Sequence, residues 1–362
     1  MERTLYTHVK LIVIWKKFCY DLLCEEIKSR EDTIRLKPNQ FSKLIYKYYV
    51  DAINFPDHQP EIFQELIWKI GVKTNLEDQV IANAIESAQR LARAEHIEDA
   101  HIKTWREGKN MVKISISGIH TTIPLKIAEQ LELKGRKEFY NLCLRYNVLG
   151  PSDGLFLSID KDVYHYLKES SELPTVECYA SPFNHNLERY CSVYPEDAIY
   201  GSLGCYRSFI EDLDEPVRLI LNPPYTNRMM EECINLLLKY MERHQDAEFV
   251  AMLPLMNGYE PMIRLFESPG TTYRLIEGDN YTIHDHSKDC AIIAPMNLIL
   301  VANLRGDSQE CVDDIAQFLS VKAINLKNEK VAAKASRPWR SSKSGMSPRT
   351  NEEIEGVYKA ER

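Results

Sequence analysis

The chain has 362 residues, 44% of them hydrophobic, and a formal net charge of −8 at pH 7. This length and apolar content predict two domains with sizeable cores. The acidic balance argues against bulk, non-specific nucleic-acid binding, which depends on many phosphate contacts. The nine cysteines include no Cys-x-x-Cys pair, so we expect reduced thiols in an intracellular protein, nuclear or cytoplasmic, and no metal site. The apolar run at 11–15 is too short for a signal peptide or a membrane span.

The first part of the chain is predicted to be helical. Thr74 and Glu77 have the spacing of a helix capping box, and apolar residues recur at helical intervals over 80–92. We therefore expect a helical domain at 1–110. A connecting strand–helix region at 111–172 follows it.

The connecting region switches between strand and helix patterns. Residues 112–117 alternate apolar and polar side chains, which predicts a strand with one exposed face. An apolar stretch at helical intervals covers 138–149 and ends at a Gly-Pro breaker. A strand at 155–159 and a helix at 163–167 are predicted after the breaker.

The segment 173–305 has the pattern of an open sheet with helices between its strands. Such alternation predicts an α/β fold, here a Rossmann-like sheet with the helical domain in front. A helix at 306–325 and a basic disordered tail at 326–362 are predicted after it. The predicted strands are 175–179, 219–221, 248–253 and a paired segment at 291–302, with a helix at 229–240 after the second strand.

Asn222, Pro223, Pro224 and Tyr225 follow an apolar run that ends at Leu221. The two prolines fix φ and donate no hydrogen bond, so the carbonyl groups of this turn stay available to a ligand. The side-chain carbonyl of Asn222 and the backbone carbonyl of Pro223 suit the two hydrogens of an aromatic amine, and Tyr225 suits stacking on its ring. The pattern indicates methylation of an exocyclic amine on a planar base. A plain strand-ending turn and the turn of a glutamine methyltransferase share the same letters.

A second segment, upstream, suits a cofactor. A short buried strand ends near Tyr179, and Ala180, Ser181, Pro182 and Asn184 follow in a loop of small or polar residues. Ligands of open α/β sheets bind in the crevice outside the carboxyl ends of the strands, and small residues let them approach the backbone. No glycine-rich fingerprint occurs here, so Ala180, Ser181 and Pro182 are expected to take the place of the glycines.

The two segments belong to a longer series of positions, which are 177–184, 190–192, Gly201, Ser202, Gly204 and 222–225. In order and spacing this series resembles the phosphorylated-CTD-interacting-factor family of cap-specific adenosine N6-methyltransferases. In that family, a strand reading Glu-Cys-Phe-Ala-Ser-Pro-Leu-Asn opens the methyltransferase domain, and an Asn-Pro-Pro-Phe turn carries the target adenine. Tyr179, Phe183 and Tyr225 are substitutions by similar residues in this chain.

The resemblance implies S-adenosylmethionine as the cofactor and capped mRNA as the partner. It implies methyl transfer to N6 of the cap-adjacent, 2′-O-methylated adenosine. Two alternatives stay open: an N6-adenine methyltransferase for internal RNA or DNA sites, and a non-catalytic cap-binding subunit. The expected site residues are Asn222, Pro223, Pro224 and Tyr225 for catalysis, Glu177, Ala180, Ser181, Pro182 and Asn184 for the cofactor, and Tyr225, Gly201 and Ser202 for the substrate.

Larger members of the family carry a WW module that binds the phosphorylated tail of RNA polymerase II. The four tryptophans of this chain are widely scattered. We therefore expect a catalytic core without that module, as in a viral or otherwise minimal version, and no recruitment by the polymerase.

His284, Asp285 and His286 occur in a segment that is predicted to be a polar loop before the last strands. Two histidines beside an aspartate suit metal ligation or proton transfer, but no cluster of further ligands accompanies them. We expect this loop to lie near the mouth of the site.

Overall fold

The computed structural model describes residues 19–335 except for gaps at 31–32, 35, 38–39, 42–43, 45–47, 49–50, 53–54, 95–101, 109, 117–118, 149–156 and 287–288. The apolar run at 11–15 and the tail beyond 335 lie outside the described residues. The chain divides into two units, Met1–Ile324 and Asn325–Arg362. Within the described ranges, no helix has the length and apolar character to cross a membrane.

Two helices, α1 Gln59–Thr74 and α2 Asp78–Ala94, pack together in the first part of the chain. The helix predicted over 80–92 is confirmed, but the capping box is wrong. Thr74 is the last residue of α1, and its hydroxyl donates to the carbonyl oxygen of Ile70 at 2.8 Å. Asn75 then ends α1 in the left-handed conformation, with a φ of 59°. The polar residues between the helices therefore terminate α1.

An antiparallel sheet of three strands follows: β1 Ile102–Glu107, β2 Met111–Ile116 and β3 Ile119–Pro124. β2 confirms the strand predicted at 112–117, whereas β1 falls inside the predicted helical domain. The side chains from Lys103 to Glu107 are all exposed. A strand without a buried face shows no apolar alternation, so its sequence carried no strand signal.

The connecting elements are α3 Leu125–Glu132, α4 Arg136–Val148, β4 Leu157–Ile159 and α5 Lys161–Glu169. They confirm the helices predicted at 138–149 and 163–167, and the described part of the strand predicted at 155–159. Asp160 caps α5, because its carboxylate accepts the backbone N–H of Asp162 at 3.0 Å. β4 and α5 turn out to contribute directly to the site described below.

The central sheet consists of β5 Thr175–Ala180, β6 Tyr190–Ser192, β7 Arg218–Leu221, β8 Glu248–Pro254, β9 Thr272–Ile276 and β12 Leu298–Asn303. Its strand order is β6-β5-β7-β8-β12-β9. Strands β5 to β8 are parallel to one another, and β12 is antiparallel to both of its neighbours. The strands predicted at 175–179, 219–221 and 248–253 are thereby confirmed as β5, β7 and β8.

Helices cover both faces of this sheet: α6 Tyr206–Glu211, α7 Asn227–Arg243, α8 Glu260–Phe266 and α9 Ser308–Ala335. Leu219 and Leu221 of β7 lie in the core shared with α6, α7 and α8, and Ile220 lies in the core shared with α5 and α9. The mixed α/β class is thereby confirmed. The helix predicted at 306–325 continues to Ala335, so the first part of the segment predicted as a disordered tail is helical.

A second sheet combines β4 with β10 Thr282–Asp285 and β11 Cys290–Ile293, in the antiparallel order β11-β10-β4. The paired segment predicted at 291–302 is therefore wrong, because β11 pairs with β10 and β12 lies in the central sheet. His284 and Asp285 belong to β10 and not to a loop. Short apolar runs in the sequence predict strands, but they do not show which strands pair with each other.

Candidate active site

The central sheet has one point where its strand order reverses. β6 lies on one side of β5 and β7 on the other, and both are parallel to β5. In such sheets ligands bind in the crevice outside the carboxyl ends of the strands at this switch point. Glu177 is level with Ile220 across the two strands, which end at Ala180 and Leu221. The two segments predicted to carry the chemistry therefore leave the sheet side by side at this crevice.

The turn at 222–225 is held by its own side chains and by the helix that follows it. The Tyr225 hydroxyl donates to Asn222 Oδ1 at 3.1 Å. Thr226 is the N-cap of α7, where its hydroxyl accepts the backbone N–H of Met229 at 3.2 Å. Pro223 is buried, whereas Asn222 and Tyr225 are half-buried. The turn thus places a carboxamide acceptor and an aromatic ring together at the edge of the crevice.

Tyr164 reaches this turn from α5. Its side chain is buried, and Asn222 and Glu177 are close enough to it to affect its pKa. Burial is the main cause that raises the pKa of Tyr164, and the charge of Glu177 adds to it, whereas the Asn222 side chain lowers it. Sequence reasoning missed Tyr164, because the helix at 163–167 showed only a core pattern.

Glu177 lies within β5, and only 2% of it is exposed. Its Oε2 accepts the backbone N–H groups of Asn186 at 2.7 Å and Leu187 at 3.1 Å, and its Oε1 lies 3.4 Å from the side-chain amide nitrogen of Asn186. Burial raises the pKa of Glu177 to about 7, and these hydrogen bonds and the nearby Tyr164 side chain oppose the rise. The protein itself occupies both oxygens, and the hydrogen bond to a cofactor expected for Glu177 stays a prediction.

The loop after β5 is a buried turn built on internal hydrogen bonds. Ser181 Oγ donates to Asn184 Oδ1 at 2.7 Å, and Asn184 Nδ2 donates to the backbone carbonyl of Leu157 in β4 at 3.1 Å. Ala180 and Pro182 are buried beside them. These four residues were predicted to bind a cofactor, and the structure does bring them together. Because their polar side chains are occupied, a ligand here would meet mainly backbone groups and small apolar surfaces.

Gly201 and Ser202, the other predicted substrate residues, lie at the outer edge of the sheet. Ser202 forms a parallel bridge with Tyr190 of β6, and its Oγ is 2.7 Å from Ser192 Oγ. Neighbouring strands are about 4.8 Å apart, and β6 and β5 separate Ser202 from β7. Three strand spacings therefore separate Ser202 from β7, a distance of roughly 14 Å. The structure places Gly201 and Ser202 on the β6 side of the crevice, and it does not bring them to Tyr225.

The residues that flank β10 approach the turn at one end and the loop after β5 at the other. Tyr281, just before β10, is close enough to Tyr225 to add to the rise in the Tyr225 pKa that burial causes. At the other end, His286 Nε2 lies 2.8 Å from the hydroxyl of Ser158, and His286 also interacts with His185 of the β5 loop. Burial lowers the pKa of His286 to about 4, so this imidazole is neutral at physiological pH. The described residues contain no group of three or more side chains that would hold a metal.

Asp51, from the first helical part of the chain, contacts Thr226, the residue that follows the turn at 222–225. Asp51 is buried, and its carboxylate accepts the hydroxyl of Thr226 at 2.5 Å. Nearby, the guanidinium of Arg207 lies over the ring of Phe55, 5.4 Å from its centroid. Asp51 and Thr226 are far apart in the chain, and no local pattern links them. Sequence reasoning therefore missed this contact.

Comparison with known proteins gives one match. A family model described as Phosphorylated CTD interacting factor 1 WW domain matches residues 128–274. The matched range contains the strands β4 to β8, the buried loop after β5 and the turn at 222–225. No curated protein matches the chain. The match covers the same segments that showed the resemblance in the sequence, and this part of the chain is similar to the phosphorylated-CTD-interacting-factor family.

Proposed function

We propose that the protein transfers a methyl group from S-adenosylmethionine to N6 of the cap-adjacent adenosine of mRNA. One observation carries the proposal. The turn from Asn222 to Tyr225 lies at the switch point of the sheet, beside the carboxyl end of β5, where open α/β sheets bind their ligands. The similarity of residues 128–274 to the family model supports a cap-related function.

The sheet supports a Rossmann-like methyltransferase domain. Five strands run in one direction, β12 runs antiparallel between the last two of them, β8 and β9, and a single switch point lies between β6 and β7, at β5. Helices cover both faces of the sheet. The loop after β5 fits a nucleoside-type cofactor, because Ala180 and Pro182 add little bulk and the backbone remains to bind it. Ala180, Ser181, Pro182 and Asn184 would line that site, with Gly201 on the β6 side. The cofactor, when bound, supplies a methyl group on a positively charged sulfur.

Asn222 is proposed to activate the amine. The lone pair of an aromatic amine is delocalised into the ring, which makes the nitrogen a poor nucleophile. A carboxamide oxygen has two lone pairs, and Tyr225 uses one of those on Asn222 Oδ1. The other accepts one amine hydrogen, and the backbone carbonyl of Pro223 accepts the second, which localises the nitrogen lone pair.

Tyr225 is proposed to hold the adenine by stacking. As the nitrogen–methyl bond forms, the sulfur–methyl bond breaks. The nitrogen then loses its proton to water, so the site needs no strong base. Pro224 keeps the turn rigid, since its ring fixes φ and it donates no hydrogen bond.

Labelled S-adenosylmethionine and three short RNAs test the proposal: one capped and starting with adenosine, one uncapped, and one capped but starting with guanosine. We expect label only in the first. Equal labelling of capped and uncapped RNA would assign the enzyme to internal sites instead. Cofactor binding without labelling of any RNA would leave a protein substrate or a non-catalytic cap-binding subunit.

The variant Asn222→Ala tests the role of the turn. It should bind the cofactor as the unchanged protein does but lose turnover, because it removes only the acceptor of the amine hydrogen. The matched control is Asn83→Ala, on the exposed side of α2, where the side chain only accepts from Gln79 at 3.0 Å. Retained turnover in Asn222→Ala would refute the role given to this residue.

A further inference from the structure

β1 and β2 form a hairpin whose charge is opposite to that of the chain as a whole. Residues 102–116 include four basic side chains and one acidic side chain, whereas the formal net charge of the chain is −8. The acidic residue, Glu107, accepts a hydrogen bond from the hydroxyl of Thr122 at 3.1 Å. Lys103 and Arg106 are exposed, and within the described ranges neither of them forms an ion pair. The hairpin therefore presents positive charge that no acidic side chain compensates there.

Trp105 lies in this hairpin, on the face turned away from the core. In the antiparallel register Trp105 is paired with Lys113, and Lys113 is paired with Thr122 of β3. Side chains alternate between the two faces of a sheet, and Ile114 and Ile123, the neighbours of Lys113 and Thr122, are buried in the core. Trp105 is 41% exposed, and the Lys113 ammonium lies 5.6 Å from the centroid of its ring. An accessible indole thus lies among cations.

A flat aromatic ring beside cations suits single-stranded nucleic acid. Every base has a planar face that stacks on an exposed aromatic side chain whatever the sequence, and basic side chains contact the phosphates between the bases. The carboxylates of an acidic peptide would also pair with the cations, but they offer no ring to stack on Trp105. Single-stranded RNA therefore fits this surface better than an acidic peptide does.

The hairpin lies close to the proposed active site. Ile114 and Ile123 belong to one apolar cluster with Phe183 of the loop after β5 and Met229 of the first turn of α7. β2 and β3 therefore pack against the part of the protein that carries the crevice. Packed layers of a domain are about 10 Å apart, a distance that a few nucleotides of single-stranded RNA span.

We propose that the exposed surface formed by Lys103, Trp105, Arg106 and Lys113, here called the hairpin surface, binds single-stranded RNA downstream of the cap-adjacent nucleotide. One base stacks on Trp105, and the three cations contact phosphates. This inference rests on the proposed function, because the RNA is the transcript whose first adenosine is methylated. The hairpin surface concentrates positive charge at one place on an acidic protein, and it does so without selecting a base sequence.

Equilibrium binding of labelled RNA, followed by fluorescence anisotropy without S-adenosylmethionine, tests the stacking. The probes are a cap dinucleotide and a capped RNA of about ten nucleotides. Trp105→Ala should weaken binding of the longer RNA about five- to a hundredfold and leave binding of the dinucleotide unchanged, whereas Trp105→Phe should keep most of the affinity. The matched control is Trp68→Ala, because Trp68 is 58% exposed on α1, and it should bind both probes normally. Unchanged binding by Trp105→Ala, or an equal loss for the two probes, overturns the proposal.

The salt dependence of binding tests the cations separately. Lys103→Gln and Lys113→Gln should each make the slope of the logarithm of the association constant against the logarithm of salt concentration shallower by about 0.7. The control is Lys239→Gln, on the exposed side of α7, which removes the same charge and should leave the slope unchanged. A synthetic acidic peptide should compete only weakly with the RNA. Unchanged slopes in both lysine variants, or tighter binding of the peptide than of the RNA, overturn the proposal.

These measurements require no methyl transfer, so they separate the hairpin surface from the proposed function. If no RNA is methylated, RNA binding that depends on Trp105 still supports the hairpin surface. If capped RNA is methylated, Trp105→Ala should raise the KM for the longer RNA and leave kcat unchanged. Methylation with an unchanged KM and an unchanged affinity in Trp105→Ala would overturn the hairpin surface alone.

Discussion

Arg218 and Glu248 form a buried ion pair at the amino ends of β7 and β8, the ends opposite the crevice. They are 3% and 4% exposed, and Arg218 Nε lies 2.7 Å from Glu248 Oε2. Arg218 also donates to the backbone carbonyls of Leu167 at 2.5 Å and Ser170 at 3.3 Å. It thereby ties the end of α5, the helix that carries Tyr164, to the central sheet.

Arg218→Met should destabilise the protein by about 3–5 kcal/mol, because it leaves a buried carboxylate without its counter-charge. The backbone N–H of Arg305 at 3.0 Å and the hydroxyl of Ser171 at 3.1 Å still bind Glu248, which favours the lower end of that range. A typical domain is stable by only about 5–15 kcal/mol. The loss is therefore a large fraction of the total stability.

Urea unfolding of single and double variants measures this loss. Glu248→Gln in the Arg218→Met background should recover part of the stability, because it removes the unpaired charge. The control is Arg264→Met, which breaks an exposed pair with Glu260 (2.9 Å) and should cost less than about 1 kcal/mol. A loss from Arg218→Met as small as that of the control would refute the reasoning, as would a double variant without recovery.

Three further predictions concern the turn and the pH dependence of stability. Tyr225→Phe keeps the stacking ring, so its kcat/KM should fall less than about fivefold, whereas Tyr225→Ala should lose about ten- to a hundredfold; equal losses would contradict stacking. Thr226→Val removes the cap of α7 and the donor to Asp51, which should lower the free energy of unfolding in urea by about 1–3 kcal/mol. Thr226→Ser should retain most of the stability. Equal urea midpoints for the two variants would contradict the hydrogen bond between Thr226 and Asp51. Burial raises the pKa of Glu248, but the hydrogen bonds that it accepts outweigh burial and lower it. The stability that the ionised Glu248 contributes should therefore be present at pH values above 4.5, its usual pKa, and should be lost as the pH falls. If Glu248→Gln and the unchanged protein unfold in acid at the same pH, this prediction is contradicted.

The positions of the turn and of the β5 loop followed from the sequence, because the responsible signals are local. An apolar run that stops at Leu221 before two prolines marks both a strand and its end. In the same way, the small and polar residues at 180–184 mark the end of β5 and the loop that follows it. Once both strands belong to one parallel sheet, their carboxyl ends meet at one edge.

Tyr164 and Asp51 were not predictable, because their roles arise from packing between distant segments. Each lies in a helical pattern, in which a tyrosine or an aspartate has many uses. Glu177 shows the same limit. Its place at the crevice strand followed from the motif, but its bonds to Asn186 and Leu187 depend on how the later loop folds back.

The strands that have no apolar alternation or no local partner were also missed. β1 is exposed along its described length, so nothing in its sequence separates it from a loop. β11 and β12 follow each other closely, and a pairing between them was the simplest expectation. The structure instead pairs β11 with β10, because β10 also bonds to β4 and completes a separate sheet.

The most direct test of the central claim is to locate the methyl group in the RNA product. Capped RNA that starts with adenosine and also contains internal adenosines is methylated, digested to nucleosides and cap dinucleotides, and identified by mass spectrometry. The account predicts N6-methylation of the cap-adjacent adenosine alone, and no methylated product from the Asn222→Ala variant. Methyl groups on internal adenosines, or an equal product from that variant, would contradict it.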